Sequence, residues 1–397
     1  MLTHRQLFLL HTAQTSPDPR LFEITSAEGM YLYDTSGKRY MDLVSGFAVS
    51  NIGHKHPFVT QAIKDQLDKH LHITVYGEFV QGPQVLFAQH LIETLPESLN
   101  NVYFVNSGAE ATEGAMKLAK KYTGRRQIIG VEKAYHGSTQ GALSLIGSAT
   151  YRAPFQPLLP EVGFIRFNAW EDLDKITSST AAVFLETIQG EAGVRVPDIA
   201  WIQALRQRCT DTGALLVLDE IQTGFGRTGK LFAFEHFDIV PDILLLAKAL
   251  GGGMPIGAFI SSKAIMSALM EHPILGHITT FGGHPVSCVA GDAALQFMRQ
   301  ERLWESVPEK EALFRQELEG HPAIKEIRGQ GLMLALQLET FEQVASISQF
   351  CAERGLMIDW FLHCETALRL APPLIITEAE IKTACTILKE GLNSLVG

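Results

Sequence analysis

Four short apolar runs stand out along the chain, at 102–105, 181–185, 214–218 and 243–246, and each ends on small or polar residues. Val102-Tyr103-Phe104-Val105 runs into Asn106-Ser107-Gly108, and Ala181-Ala182-Val183-Phe184-Leu185 into Glu186. Ala214-Leu215-Leu216-Val217-Leu218 ends at Asp219-Glu220, and the run beginning at Ile243 ends at Ala247-Lys248. Unbroken apolar runs of this length read as strands buried on both faces, as in a parallel sheet. The segments 30–33 and 39–43 instead alternate around Asp34-Thr35-Ser36-Gly37, a hairpin signal. A helix is expected from the small residues after Gly108 through Lys121, and another from about Val286. The first residues read as a helical start followed by a proline-marked turn, Ser16-Pro17-Asp18-Pro19. The pattern predicts an α/β protein.

Chemistry gathers at the ends of the runs. An acid at the carboxyl edge of a buried parallel strand, such as Asp219, lies where open α/β sheets bind ligands. The plainer reading is that Asp219 only ends the strand and caps the segment after it. Lysine is rarely buried without a reason, and Lys248 stands just before the triplet Gly251-Gly252-Gly253. A desolvated lysine has the lowered pKa that Schiff-base chemistry uses. An acid and a lysine on the edges of two buried strands suggest pyridoxal phosphate, with the acid pairing the pyridinium nitrogen and the lysine forming the imine. At 106–111, a strand, a tight glycine turn and a helix start form a phosphate site, although most such turns simply cap a helix.

Composition narrows the class. At 397 residues, two domains are expected. Apolar content of 46% and charged content of 19% are ordinary for a soluble globular protein. A net charge of −10 with no basic block argues against nucleic acid as a partner. No apolar run approaches membrane-spanning length. The first ten residues carry no small-residue cleavage site, and five scattered cysteines fit a reducing compartment, so a cytoplasmic protein is expected. His54 and His56 have no third ligand at a usual metal spacing, and no metal site is expected.

The stretch Leu218-Asp219-Glu220-Ile221-Gln222-Thr223-Gly224-Phe225-Gly226-Arg227-Thr228-Gly229, with Ala247-Lys248-Ala249-Leu250-Gly251-Gly252-Gly253, closely resembles the class-III pyridoxal-phosphate aminotransferases. The resemblance extends over essentially the whole chain. It implies a fold-type-I α/β architecture: a large domain with a mostly parallel central sheet (51–285), and a small α+β domain from both chain ends (1–50 and 286–397). It also implies an obligate homodimer with shared active sites. On this resemblance Lys248 holds the cofactor and then moves the proton, Asp219 keeps the pyridine nitrogen protonated, and Gln222 meets the ring hydroxyl. Ser107, Gly108 and Ala109 become the phosphate cradle, Tyr135 stacks on the ring beside His136, and Thr280 reaches the phosphate of the other subunit. Glu186 and Glu191 border the substrate, and Glu191 is the gate that pairs with Arg369 or releases it for a dicarboxylate. Phe47 lies in a loop similar to the family's pocket wall, although from the residues alone it reads better as core.

Three positions depart from the family pattern. Ornithine and acetylornithine aminotransferases usually carry an arginine after the glycine at 137, gripping the substrate α-carboxylate by a bidentate fork. Here the residue is Ser138. The segments 151–160 and 231–236 look most like putrescine aminotransferases, which also lack that arginine, while Arg152 is a second candidate for a carboxylate contact. Thr187 stands where proline is usual, and His284 where asparagine is usual. The expected reaction moves the terminal (omega) amino group of a diamine or ornithine-type donor to 2-oxoglutarate, giving an aldehyde and glutamate. The alternatives are an acetylornithine or succinylornithine aminotransferase, and a same-fold aminomutase. The aminomutase is disfavoured because it needs no dicarboxylate acceptor and hence no Glu191–Arg369 gate.

Overall fold

The computed structural model describes residues 2–75 and 79–396. Near the start, Ile24–Glu28 (β1), Tyr31–Asp34 (β2) and Arg39–Asp42 (β3) form an antiparallel meander. Its predicted turn closes on Asp34, whose Oδ1 accepts the N–H of Ser36 at 2.8 Å and of Lys38 at 2.9 Å. A local carboxylate that takes two backbone donors fixes such a turn without tertiary help.

The central sheet uses Asn101–Val105 (β4), Gln127–Val131 (β5), Val162–Ile165 (β6), Thr180–Glu186 (β7), Leu215–Asp219 (β8), Ile243–Leu246 (β9) and Gly257–Ser261 (β10). Its order is β4-β10-β9-β8-β7-β5-β6, and only β10 runs antiparallel to its neighbours. The unbroken apolar runs follow from burial on both sides. Ala182 and Phe184 of β7, Leu215 and Val217 of β8, and Ile243 and Leu245 of β9 pack into one core. The alternate residues Val183, Leu185, Leu216, Leu218, Leu244 and Leu246 pack into the other. Successive side chains of a strand point to opposite faces, so a strand covered twice has no position for a polar residue.

The remaining strands are Glu326–Gly329 (β11), Leu334–Gln337 (β12), Leu356–Met357 (β13), Asp359–Phe361 (β14) and Cys364–Leu370 (β15). Four form the sheet β11-β12-β15-β14, while β13 pairs in parallel with β3. The two ends of the chain therefore share one sheet. Arg227 fastens this region to the large sheet: its fully buried guanidinium donates to the Leu332 carbonyl at 2.9 Å and also to the Pro372 carbonyl and Asn51. Burial pulls its pKa down to about 9, against the opposing charge of Asp42. No helix among the described residues is long and apolar enough to cross a membrane.

Candidate active site

The loops leaving the carboxyl ends of β4, β5, β7, β8 and β9 lie on one rim of the sheet, as expected for a ligand site in an open α/β fold. They enclose a cavity of about 540 Å³. Its walls include Ser107, Gly108, Ala109, Tyr135, His136, Ser138, Glu186, Glu191, Asp219, Gln222 and Lys248.

At the end of β4, Ser107 caps the helix Gly108–Thr123, its hydroxyl accepting the Glu110 N–H at 3.2 Å. The first-turn N–H groups of a helix have no intrahelical acceptor, so those of Gly108 and Ala109 remain available at the positive end of the dipole. The loop after β5 presses onto this turn. Gly137, at φ +123°, lies so close that a Cβ would stand 2.5 Å from the Ala109 Cβ. Thr112 donates to the His136 carbonyl at 3.0 Å and holds the loop down.

Asp219 ends β8 and does more than close the strand. Its Oδ1 accepts the Ile221 N–H at 2.9 Å, and its Oδ2 lies 2.7 Å from His136 Nδ1 in a buried pair. Burial drives the His136 imidazole toward neutrality, but the hydrogen bond and charge of Asp219 outweigh it and raise its pKa. Glu186, at the end of β7, uses one oxygen for the Tyr135 N–H at 3.1 Å and the other for the Gly190 N–H at 3.0 Å. Its burial pushes the carboxyl up to about 7.

Lys248 opens a short 3₁₀ turn after β9 with φ +51°, a left-handed geometry unusual for lysine. Burial lowers its pKa against the attraction of Glu191. Packing requires the glycine at 252 behind it. Gly252, at φ +58°, has the Ala290 carbonyl of the helix Pro285–Glu301 only 2.6 Å from where a Cβ would sit.

Opposite Lys248, Arg369 of β15 donates to both oxygens of Glu191, at 3.0 and 2.8 Å. Burial disfavours both charges, yet the pairing wins, so Glu191 is lowered and Arg369 raised. Phe47 lies here and is neither core nor cavity wall. It is 47% exposed, with its ring 5.0 Å from the Arg369 guanidinium. Ser45, Gly46, Phe47 and Ala48 all have positive φ, and this left-handed turn directs the ring outward. The core reading of Phe47 failed because apolar character says nothing about a turn of that hand.

The three departures acquire physical roles. Ser138 Oγ is 3.1 Å from the Tyr135 hydroxyl. Thr187 donates its hydroxyl to the fully buried Glu220 at 3.0 Å, a bond proline cannot make. His284 caps the helix Pro285–Glu301, its Nδ1 accepting the Val286 N–H at 3.3 Å. A capping asparagine uses its side-chain oxygen in the same way. Arg152 lies outside the cavity lining, its guanidinium 4.5 Å from the Phe164 ring. Thr280 is exposed and is not in the lining formed by its own chain. His54 is 2.8 Å from Asp42, and the His56 ring lies tilted against Phe297 with centroids 4.0 Å apart.

Residues 12–392 match the family model for aminotransferase class III. The chain belongs to the class-III aminotransferases. It is 39% identical over 373 residues to the acetylornithine aminotransferase of Methanopyrus kandleri, a match covering 94% of each chain. It is 37% identical to the [LysW]-aminoadipate semialdehyde/glutamate semialdehyde transaminase of Sulfolobus acidocaldarius, over 93% of this chain and 94% of that one. Among solved structures, an ornithine aminotransferase from Toxoplasma gondii superposes with a TM-score of 0.90 at 29% identity, covering 98% of this chain and 93% of that one. The protein is therefore a transaminase with the family's pyridoxal phosphate dependence, and its substrates are an amine and a keto acid.

The cavity suits that cofactor on its own terms. It combines free helix-start N–H groups for a phosphate, a buried carboxylate for a ring nitrogen, an aromatic wall and a desolvated amine.

Proposed function

We propose that this aminotransferase takes the terminal amino group of a diamine or ornithine-type donor and passes it to 2-oxoglutarate. The observation that carries this reading is the occupancy of the two places where a carboxylate grip is expected. Position 138 offers a serine hydroxyl against Tyr135, and the guanidinium of Arg369 is already bound at both ends to Glu191. A cationic amine with no carboxylate near its reacting carbon fits such a site. An α-carboxylate brought beside Ser138 meets no charged fork.

In this reading the N–H groups of Gly108 and Ala109 and the Ser107 hydroxyl would hold the phosphate, and Tyr135 would cover the ring. Asp219, oriented by His136, keeps a proton on the ring nitrogen, and Gln222 meets the ring hydroxyl. The bound cofactor supplies the electron sink that loosens the hydrogen on the amine-bearing carbon. Lys248 carries that proton, and its burial, which lowers its pKa, favours the neutral amine that can accept it. Both oxygens of Glu186 are engaged by backbone N–H groups, which suits it to shaping the donor side. When the donor product has left, Glu191 releases Arg369 and the acceptor's second carboxylate takes its place.

Thr280 completes the site from a second copy of the chain. Its exposure supports this, as does the surface around it, where Ile274, Leu275, Ile278 and Phe281 are all exposed. Patches of that kind mark association surfaces. The same reading divides the chain at 50/51 and 285/286, and places the enzyme in the cytoplasm.

A second reading comes from the relatives named acetylornithine aminotransferase, 38–39% identical over nearly the whole chain. Under it, N-acetylornithine is the donor and a cation other than residue 138 holds its carboxylate. Glutamate formation from 2-oxoglutarate with putrescine, ornithine or N-acetylornithine separates the two. The diamine reading expects the highest kcat/KM with putrescine. A higher value with N-acetylornithine would overturn it in favour of the second reading.

A further inference from the structure

Arg369 has a second acidic neighbour. Asp359 on β14 is the cross-strand partner of Arg369 on β15. Side chains at directly opposed positions lie on the same face within contact distance. Asp359 Oδ1 is 3.2 Å from Arg369 Nε, an ionic contact without hydrogen-bond geometry on the edge of the guanidinium that Glu191 leaves free. Arg369 also donates to the Trp360 carbonyl at 3.1 Å, and the rings of Phe361 and Phe47 lie 4.5 and 5.0 Å from it. Arg20, whose charge also attracts Asp359, donates to the Ile358 carbonyl at 2.9 Å and lies over the Trp360 ring.

One buried cation thus has two carboxylates of different character. Glu191 takes the two terminal nitrogens, the pair a bidentate acceptor carboxylate needs. Asp359 takes the remaining edge, which no acceptor needs. A guanidinium only 2% exposed is costly to leave without counter-charge. If Glu191 were its sole acid, release would strand that charge until the acceptor arrived.

We propose that Asp359 is a positioning residue of the acceptor site: it holds the Arg369 fork in place, partly neutralised, while Glu191 is exchanged for the acceptor carboxylate. This rests on the gate described under the proposed function and names the group that lets it open. Asp359 itself is outside the cavity lining.

The test measures the two half-reactions of the holoenzyme separately, by the absorbance change of the bound cofactor. Asp359→Asn keeps the shape and removes the charge. Its expected effect is a rise of about tenfold or more in the 2-oxoglutarate concentration giving half-maximal rate. The donor half-reaction, in which Arg369 stays on Glu191, should change far less. Asp359→Glu, which keeps the charge, should recover part of the loss. Equal losses in both half-reactions mean a structural role and overturn the proposal, as does an unchanged or lower 2-oxoglutarate requirement. Wild-type enzyme converted by an amine yet silent toward 2-oxoglutarate would overturn the acceptor reading, and this inference with it. A normal wild type beside an unaffected Asp359→Asn overturns this inference alone.

Discussion

Arg369 and Glu191, 178 positions apart, meet through two hydrogen bonds of 3.0 and 2.8 Å, and Glu191 lines the same cavity as Lys248. The pair joins a strand of the C-terminal sheet to the loop after β7, so both sheets must be in place before it forms. Removing Arg369 would leave the carboxylates of Glu191 and Asp359 without their shared counter-charge, at a cost of about 3–5 kcal/mol.

Glu191→Gln is expected to act asymmetrically. With its acid gone, Arg369 repels a cationic amine and attracts a dicarboxylate. The donor half-reaction should slow by about tenfold or more, while conversion by 2-oxoglutarate stays near the wild-type rate. Stopped-flow absorbance on each half-reaction measures this. Equal loss in both directions would reduce the pair to a structural salt bridge.

Ser138→Arg is expected to restore a carboxylate fork beside Tyr135. The ratio of kcat/KM for N-acetylornithine over that for putrescine should rise by about tenfold or more. Paired steady-state assays give the ratio directly. An unchanged ratio shows that position 138 does not face the donor carboxylate.

Much of this site was legible in the sequence, for an identifiable reason. Asp219 and Lys248 each end an unbroken apolar run, and a polar residue at such a boundary marks the rim of a parallel sheet. The partnership of Asp219 with His136, 83 positions away, was not legible, because it depends on the crossover that lays the loop after β5 beside β8. Asp359 left no trace for the same reason: its meaning comes from its register opposite Arg369. Phe47 misled because its exposure is set by four consecutive positive φ angles. The Glu191–Arg369 pair was anticipated from the family resemblance, since no spacing rule connects residues so far apart.

Glu220 carries a pH prediction. Burial pushes its carboxyl up to about 7, against the hydrogen bonds from Ala233, Phe234 and Thr187. An unfolded glutamate titrates near pH ~4.3, so between the two values the folded chain binds the extra proton. The stability this contributes is complete below about pH 4.3 and is lost as pH rises through about 7. Wild-type Tm should therefore fall relative to that of Glu220→Gln between about pH 5 and about pH 8. Scanning calorimetry on both proteins across that range measures the difference. A flat difference contradicts the assignment.

The donor assignment is tested most directly by the donor half-reaction without acceptor. Purified enzyme, loaded with pyridoxal phosphate, is mixed with putrescine, ornithine, N-acetylornithine or 4-aminobutyrate, and conversion of the cofactor to its amine form is followed by absorbance. Rapid conversion by putrescine, which has no carboxylate, and slow conversion by N-acetylornithine are expected, because Ser138 offers no grip for an α-carboxylate. Fast conversion by N-acetylornithine with none by putrescine would contradict that assignment and return the enzyme to the donor of its acetylornithine-named relatives.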